Sequence, residues 1–293
     1  MSTVIDAPGL YYDIPADRYH ADPCLLPSLS SGTLRTILDK SIEHAALGCP
    51  RLGGEPREST SSMSLGSVVH ALLAGEASDL AQGEFDSYRT AAAQKWKRDI
   101  EALGKIPVLE RDLVEARPIA AAVRERAAAG ITNTPFAEHG RSEVTAVWRE
   151  GDAWCRARFD RLVIDPNGYA DIWDWKTAKD VSDRAIERAV ASMGYHIQAA
   201  FYLRGLAAVL PSHAGRLSFT FCFVEAAAPY HVRRVVLSQT FLRIGQAKVN
   251  EGLAIWQRAQ AEGNFRAPAF PTMEVEAPAY LDEDDEISIS DAT

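Results

Sequence analysis

The sequence predicts a mixed α/β (α+β) domain, and three observations carry that expectation. Five runs, residues 142–149, 153–164, 169–176, 216–225 and 230–237, are rich in β-branched and aromatic side chains and are bounded by turn residues. Two helical patterns, at 182–192 and 195–210, interrupt the strands, and a longer one covers 239–262. Further helical patterns precede the first strand. Helices, a β-meander, a helix pair, more strand and a final helix make the order of a single domain with a sheet covered by helices. At 293 residues the chain has ample length for a buried core.

Residues 1–27 contain Pro and Tyr without periodicity and read as an irregular segment. Ser28-Leu29-Ser30-Ser31 then offers N-cap hydroxyls for a helix through Leu34, Ile37 and Leu38. Gly48 to Ser62 is rich in Gly, Pro, Ser and Glu and reads as a loop. A short apolar helix follows from Ser64 to Ala74, with His70 in its middle and Gly75 as its stop. From Phe85 to Ala129 the pattern is helical throughout. The strands at 153–164 and 169–176 are joined by Asp165-Pro166-Asn167-Gly168, where Pro fixes φ and Asn-Gly tolerates positive φ. The main domain is placed at 28–272, with an acidic tail over 273–293.

Composition excludes some classes and leaves others open. No apolar run approaches the roughly 20 residues needed to span a bilayer, and the N-terminus lacks the basic-then-apolar order of a signal peptide, so a cytoplasmic protein without membrane contact is expected. Cys24, Cys49, Cys155 and Cys222 are widely spaced and form no CxxC pair. They read as buried structural thiols, and neither zinc nor an iron–sulfur cluster is expected. The net charge of −9 is mostly a tail: residues 274–293 hold eight acidic groups and no Lys or Arg, and the remainder has 32 acidic against 31 basic residues. That near-neutral body neither supports nor excludes a DNA groove.

The chemistry-bearing stretch is Ala153–Lys176. Side chains alternate along a strand, so Asp174 and Lys176 share one face, and Asp160 lies on the neighbouring strand. Carboxylates suit hard, oxygen-loving ions such as Mg²⁺ or Mn²⁺, and a nearby Lys holds or polarises a water. Asp-x-Lys by itself is more often a solvated same-face ion pair. Four further residues accompany it. His70 sits on the apolar helix, where a core histidine is the ordinary reading. Glu143 begins the preceding strand. Gln198 and Tyr202, at i and i+4, share one helical face. A basic cluster with an aromatic, Lys95, Trp96, Lys97 and Arg98, reads either as a solvated helix face or as a DNA-tracking surface with Trp96 available for stacking.

The order of these residues resembles the PD-(D/E)xK nuclease superfamily, in particular its RecB-like branch and the exonuclease VIII (RecE-type) domains of phages and prophages. The likeness rests on Gly66-Ser67-Val68-Val69-His70, Arg158-Phe159-Asp160-Arg161, Asp174-Trp175-Lys176-Thr177 and Gly194–Tyr202, and on the N-terminal YYDIPADRYH…LSSGTLRTIL. It runs from about residue 10 to 270. The resemblance implies a restriction-endonuclease-like core, a central mixed β-sheet flanked by helices. It also implies that Asp160, Asp174, the carbonyl of Trp175 and His70 hold a catalytic Mg²⁺, with Mn²⁺ able to substitute and no nucleotide required. Lys176 would position the attacking water, Gln198 and Tyr202 would steady the site or the DNA strand, and Glu143 is a weaker candidate.

The activity so implied is exonucleolytic hydrolysis of double-stranded DNA ends, 5′→3′. It would give 3′ single strands for a RecT-type annealing recombinase, from a homo-oligomer that forms a ring in such enzymes. The alternatives are a catalytically silent DNA-binding module on the same fold, or an endonuclease of the superfamily.

Overall fold

The computed structural model describes residues 4–54, 65–75, 80–130, 134–268 and 272–276. Along the chain the elements are β1 (Gly9–Tyr11), α1 (Ala16–His20), β2 (Ser28–Leu29), α2 (Ser31–Asp39), α3 (Ile42–Leu47) and α4 (Leu65–Ala74). There follow β3 (Leu80–Gly83), α5 (Ala91–Ala102), β4 (Ile106–Leu109), α6 (Glu110–Ala127), β5 (Arg141–Glu150), β6 (Ala153–Ile164) and β7 (Ala170–Ala178). The chain closes with α7 (Asp183–Ser192), α8 (Tyr195–Val209), β8 (Leu217–Glu225), β9 (Val232–Val235) and α9 (Gln239–Glu262).

The central sheet has the order β1-β5-β6-β7-β8-β9, with β2 added beside β6. β5, β6 and β7 are an antiparallel meander. Its second turn works as the Asn-Gly signal predicts: Gly168 adopts φ +82 and donates to the Asp165 carbonyl, and the Asp165 side chain accepts from the Tyr169 N–H at 2.9 Å. After β7 the chain crosses through α7 and α8 and returns as β8, parallel to β7, which makes the sheet mixed.

The sheet is covered on both faces, and the strand pattern says which residue looks where. Ala170 and Ile172 of β7 join Phe219, Phe221 and Phe223 of β8 in a core beneath α2, α8 and α9. Trp173 and Trp175 belong to a second core with α4 and α6. Covered on both faces, β8 reads as a nearly continuous apolar run, whereas β6 and β7 interrupt theirs with charged residues such as Arg156, Asp160, Asp174 and Lys176. The four cysteines are buried and unbridged.

One irregularity positions everything that follows. β5 occupies one edge of β6 along most of its length. On the other edge, Trp154 and Cys155 pair with β2, whereas Arg161 to Ile164 pair with β7. β6 thus changes neighbours, and Asp160 lies where the β6–β7 ladder ends.

Two expectations are corrected. Residues 1–27 are not irregular among the described positions: β1 pairs with β5, and α1 follows it. Both elements are too short for periodicity to register. Residues 85–129 are not helical throughout either. Gly104, at φ +71, follows α5, and the apolar run Ile106–Leu109 pairs with β3 in a two-stranded parallel sheet. The expected loop at 48–62 lies partly outside the described residues, as does most of the acidic tail.

Candidate active site

Asp174 and Lys176 keep phase with Ala170 and Ile172 and therefore face α8. Asp174 is 2 % exposed. Its Oδ2 accepts a 2.6 Å hydrogen bond from Gln198 Nε2, and its Oδ1 meets the Lys176 ammonium. Gln198 stands one turn into α8, so the position of that helix over β7 fixes the carboxylate.

Asp160 is gripped from the other side. Its Oδ2 accepts the Trp175 N–H at 2.8 Å, a side chain taking over where the strand ladder stops. His70 on α4 presents Nδ1 to the same oxygen at 3.3 Å and Nε2 to the Trp175 carbonyl at 2.8 Å. His70, Asp160, Asp174, Trp175, Lys176 and Gln198 are therefore one constellation, drawn from four elements.

The charges in it are frustrated. Burial, opposed by His70 and reinforced by Asp174, raises the Asp160 carboxyl to about 7. For Lys176, burial works against the ammonium, but Asp174 and Asp160 outweigh it and the net shift is upward. Lys176 is a cation at neutral pH. His70 spans Asp160 and the Trp175 carbonyl through its two ring nitrogens. Asp174 Oδ1 is buried and paired with the Lys176 ammonium.

These features fit a divalent metal of the hard, oxygen-preferring kind. Among the described residues no group of three His, Cys, Asp or Glu side chains is placed to hold a metal ion by itself. Mg²⁺ does not require one: it keeps several waters and is held by one or two carboxylates together with substrate phosphates. Asp160, Asp174 and the Trp175 carbonyl are such a donor set, and His70 already braces two of its members.

The geometry accords with what a comparison of whole sequences finds. The profile of a family described as "PDDEXK-like domain of unknown function (DUF3799)" matches residues 40–266. The chain belongs to that family. A solved structure, a "Putative exonuclease" from Eubacterium rectale, is similar at TM-score 0.53 and 12% identity over 90% of this chain and 97% of that one. At that identity the likeness is one of fold. A second structure, that of SSO0001, aligns over 74% of this chain and 87% of its own at 12% identity and TM-score 0.26, too slight to bear on the argument. Comparison with curated proteins gives no match.

Other candidates of the PDDEXK-like chain fall in different places. Tyr202 is buried against Phe159 and Phe219. Burial first, then Tyr19, Asp174 and Asp160, raise its pKa well above the ordinary value, so it is a neutral phenol beside the carboxylates, with its hydroxyl bonded to Ser31. Glu143 has φ +54 within β5, where the β5–β6 register passes over it and Asp160. Its carboxylate is paired to Arg158 rather than turned to Asp174. The basic cluster is not brought into the constellation. Lys95 pairs with Asp99 at 2.7 Å and Lys97 with Glu101 at 3.7 Å, and the Trp96 ring, expected to be available for stacking, is packed against Phe85 and Tyr88. Gly83 is small because Trp96 lies against it, where an added Cβ would sit 2.6 Å from the ring.

A cleft of about 300 Å³ opens beside Lys176 and Gln198. Its wall includes Ser31, Gly32 and Arg35 of α2 and the Met193-Gly194-Tyr195 turn. Of these wall residues, sequence reasoning had singled out none as functional. Ser31, Gly32 and Arg35 lie in LSSGTLRTIL and Gly194 and Tyr195 in the Gly194–Tyr202 motif, stretches that carry the resemblance without assigning these residues a role.

Proposed function

We propose that this PDDEXK-like protein is a divalent-metal-dependent DNA exonuclease that hydrolyses phosphodiester bonds at double-stranded ends, 5′→3′. The observation that carries the reading is the convergence of Asp160, Asp174, Lys176 and His70 where β6 parts from β7. The fold match to the Eubacterium rectale structure supports a nuclease. Duplex ends and the 5′ polarity rest on the likeness to RecE-type domains.

Asp160, Asp174 and the Trp175 carbonyl would hold the cation, Mg²⁺ or Mn²⁺. When bound, such a cation offsets charge on the phosphate and makes a water nucleophilic near neutral pH. The protein's own groups do the rest. Lys176, cationic and rooted beside Asp174, orients the water and stabilises the charge that gathers on the phosphate oxygens. Gln198 donates to Asp174 Oδ2 and fixes the orientation of that carboxylate. His70 fixes Asp160 and the Trp175 carbonyl, the supporting role that keeps such ligands oriented. The leaving oxygen takes its proton from solvent at the mouth of the cleft.

Supply of a 3′ single strand to an annealing recombinase, and assembly as a ring, extend the same proposal. Light scattering tests the latter, and a monomeric mass refutes it. The activity itself is tested on duplex DNA labelled at its 5′ or 3′ ends, with covalently closed circles alongside, in Mg²⁺, Mn²⁺ or chelator. Metal-dependent release of the 5′ label first, from linear DNA only, is the expected result. Cleavage of closed circles makes the enzyme an endonuclease. Binding without cleavage under either metal makes it a silent DNA-binding module.

A further inference from the structure

The Lys176 ammonium has two kinds of neighbour. One is Asp174. The other is aromatic: Nζ lies 5.0 Å from the centre of the Tyr195 ring and 5.7 Å from that of Phe221. Tyr195 is held there independently of the lysine. Its ring packs on Phe221 at 5.4 Å and Phe223 at 6.0 Å, the residues that register with Asp174 and Lys176 across the β7–β8 ladder.

Its backbone is fixed too. Tyr195 opens α8 directly after Gly194, whose φ of +67 favours glycine. On the far side of that glycine, Arg35 donates to the Met193 carbonyl at 2.7 Å, and a Cβ on Gly194 would lie 2.8 Å from Arg35 Cδ. The α7–α8 turn therefore has one way to run, and it carries the ring under the ammonium.

We propose that Tyr195 is a positioning residue for Lys176, holding the ammonium over its aromatic face at the wall of the cleft. The catalytic consequence rests on the nuclease reading; the placement does not. In the structure the ammonium already contacts Asp174 Oδ1, the oxygen a metal needs, so a lysine head on a flexible stem requires a second partner once a cation takes that carboxylate. An aromatic face attracts the ammonium without accepting a full hydrogen bond, so the N–H groups stay free for water and phosphate. Once a cation takes Asp174, the ring is the partner that keeps Lys176 in place.

The test separates the ring's electrostatics from its bulk. Tyr195 is replaced by Phe, by Leu, and by phenylalanines of increasing fluorination, which keep the shape and drain the π face. For DNA cleavage in Mg²⁺, Tyr195→Phe is expected within about threefold of the parent. Tyr195→Leu should lose roughly ten- to thirtyfold in kcat with KM nearly unchanged, and log kcat should fall stepwise with fluorination. A fluorinated series as active as Tyr195→Phe, or a fully active Tyr195→Leu, overturns the proposal.

A second readout needs no catalysis. The chain has seven lysines, so the ε-methylene signals of ¹³C-lysine-labelled protein are few, and Lys176→Arg assigns the one in question. That signal should be displaced upfield by the ring, with and without Mg²⁺, and should keep the displacement in Tyr195→Phe and lose it in Tyr195→Leu. No displacement in the parent, or an undiminished one in Tyr195→Leu, refutes the placement. If the parent cuts no DNA, the nuclease reading falls while this spectrum still decides the contact.

Discussion

Asp160 and Lys176 respond to the same burial in opposite ways, and that contrast sets what each residue does. The Asp160 carboxyl is held near 7 by burial, so the folded state keeps its proton where an unfolded chain, at about 3.9, has lost it. A raised acid contributes its stability fully below the unfolded value and loses it as pH rises through the folded one. In chelator, the parent protein should therefore lose about 2–3 kcal/mol relative to Asp160→Asn between about pH 5 and pH 8. Urea unfolding at both pH values checks this, and a constant difference contradicts it. Lys176 stays charged because two carboxylates outweigh its burial. Lys176→Ala should lower kcat about a hundredfold or more, while retained DNA binding, measured by fluorescence anisotropy, shows an intact surface. The Asp-x-Lys spacing was legible because strand alternation is strict. That Asp160 would bond the Trp175 amide was not, since a ladder's end leaves no mark in one strand's sequence.

Helix α8 is the element on which the candidate site depends, because it delivers Gln198 and Tyr195 from one end and buries Phe201 and Tyr202 further along. Replacing Gln198 by Leu removes the 2.6 Å donor to Asp174 and leaves a buried carboxylate oxygen without it. The cost should be about 1–3 kcal/mol of stability, read as a lower thermal midpoint, with kcat reduced about tenfold. An unchanged midpoint would mean that water replaces the amide. The i, i+4 spacing announced the shared face of Gln198 and Tyr202, but their environments differ. Gln198 reaches a carboxylate, whereas Tyr202 is walled in by Phe159 and Phe219 and bonded to Ser31. Periodicity reports direction and not what waits there. The same limit hid β4, whose four-residue run lies within a span that otherwise reads as helix.

At the scale of the molecule, the segment around Asp22 is packed onto the sheet. Asp22 and Arg156 form an ion pair at 3.2 Å with side chains 1 % and 8 % exposed, and Ser28 joins them by donating to Asp22 from its amide and its hydroxyl, both at 2.7 Å. That lock docks the N-terminal segment on β6 and leads straight into α2, the wall of the cleft. Asp22→Ala leaves the arginine buried and unpaired and should destabilise the protein by about 3–5 kcal/mol, measured by denaturant unfolding; a loss below about 1 kcal/mol contradicts the lock. Among the described residues no helix is long and apolar enough to cross a membrane. The account stands on one claim, that Asp160, Asp174 and Lys176 form a single metal-dependent centre for cutting DNA. The direct measurement is the initial rate of nucleotide release from linear duplex DNA in Mg²⁺, for the parent, Asp174→Asn and Lys176→Ala at equal folded concentration. Release by the parent alone, abolished by chelator, is the predicted result. Equal release by all three, or release that survives the chelator, would place the chemistry elsewhere and contradict the account.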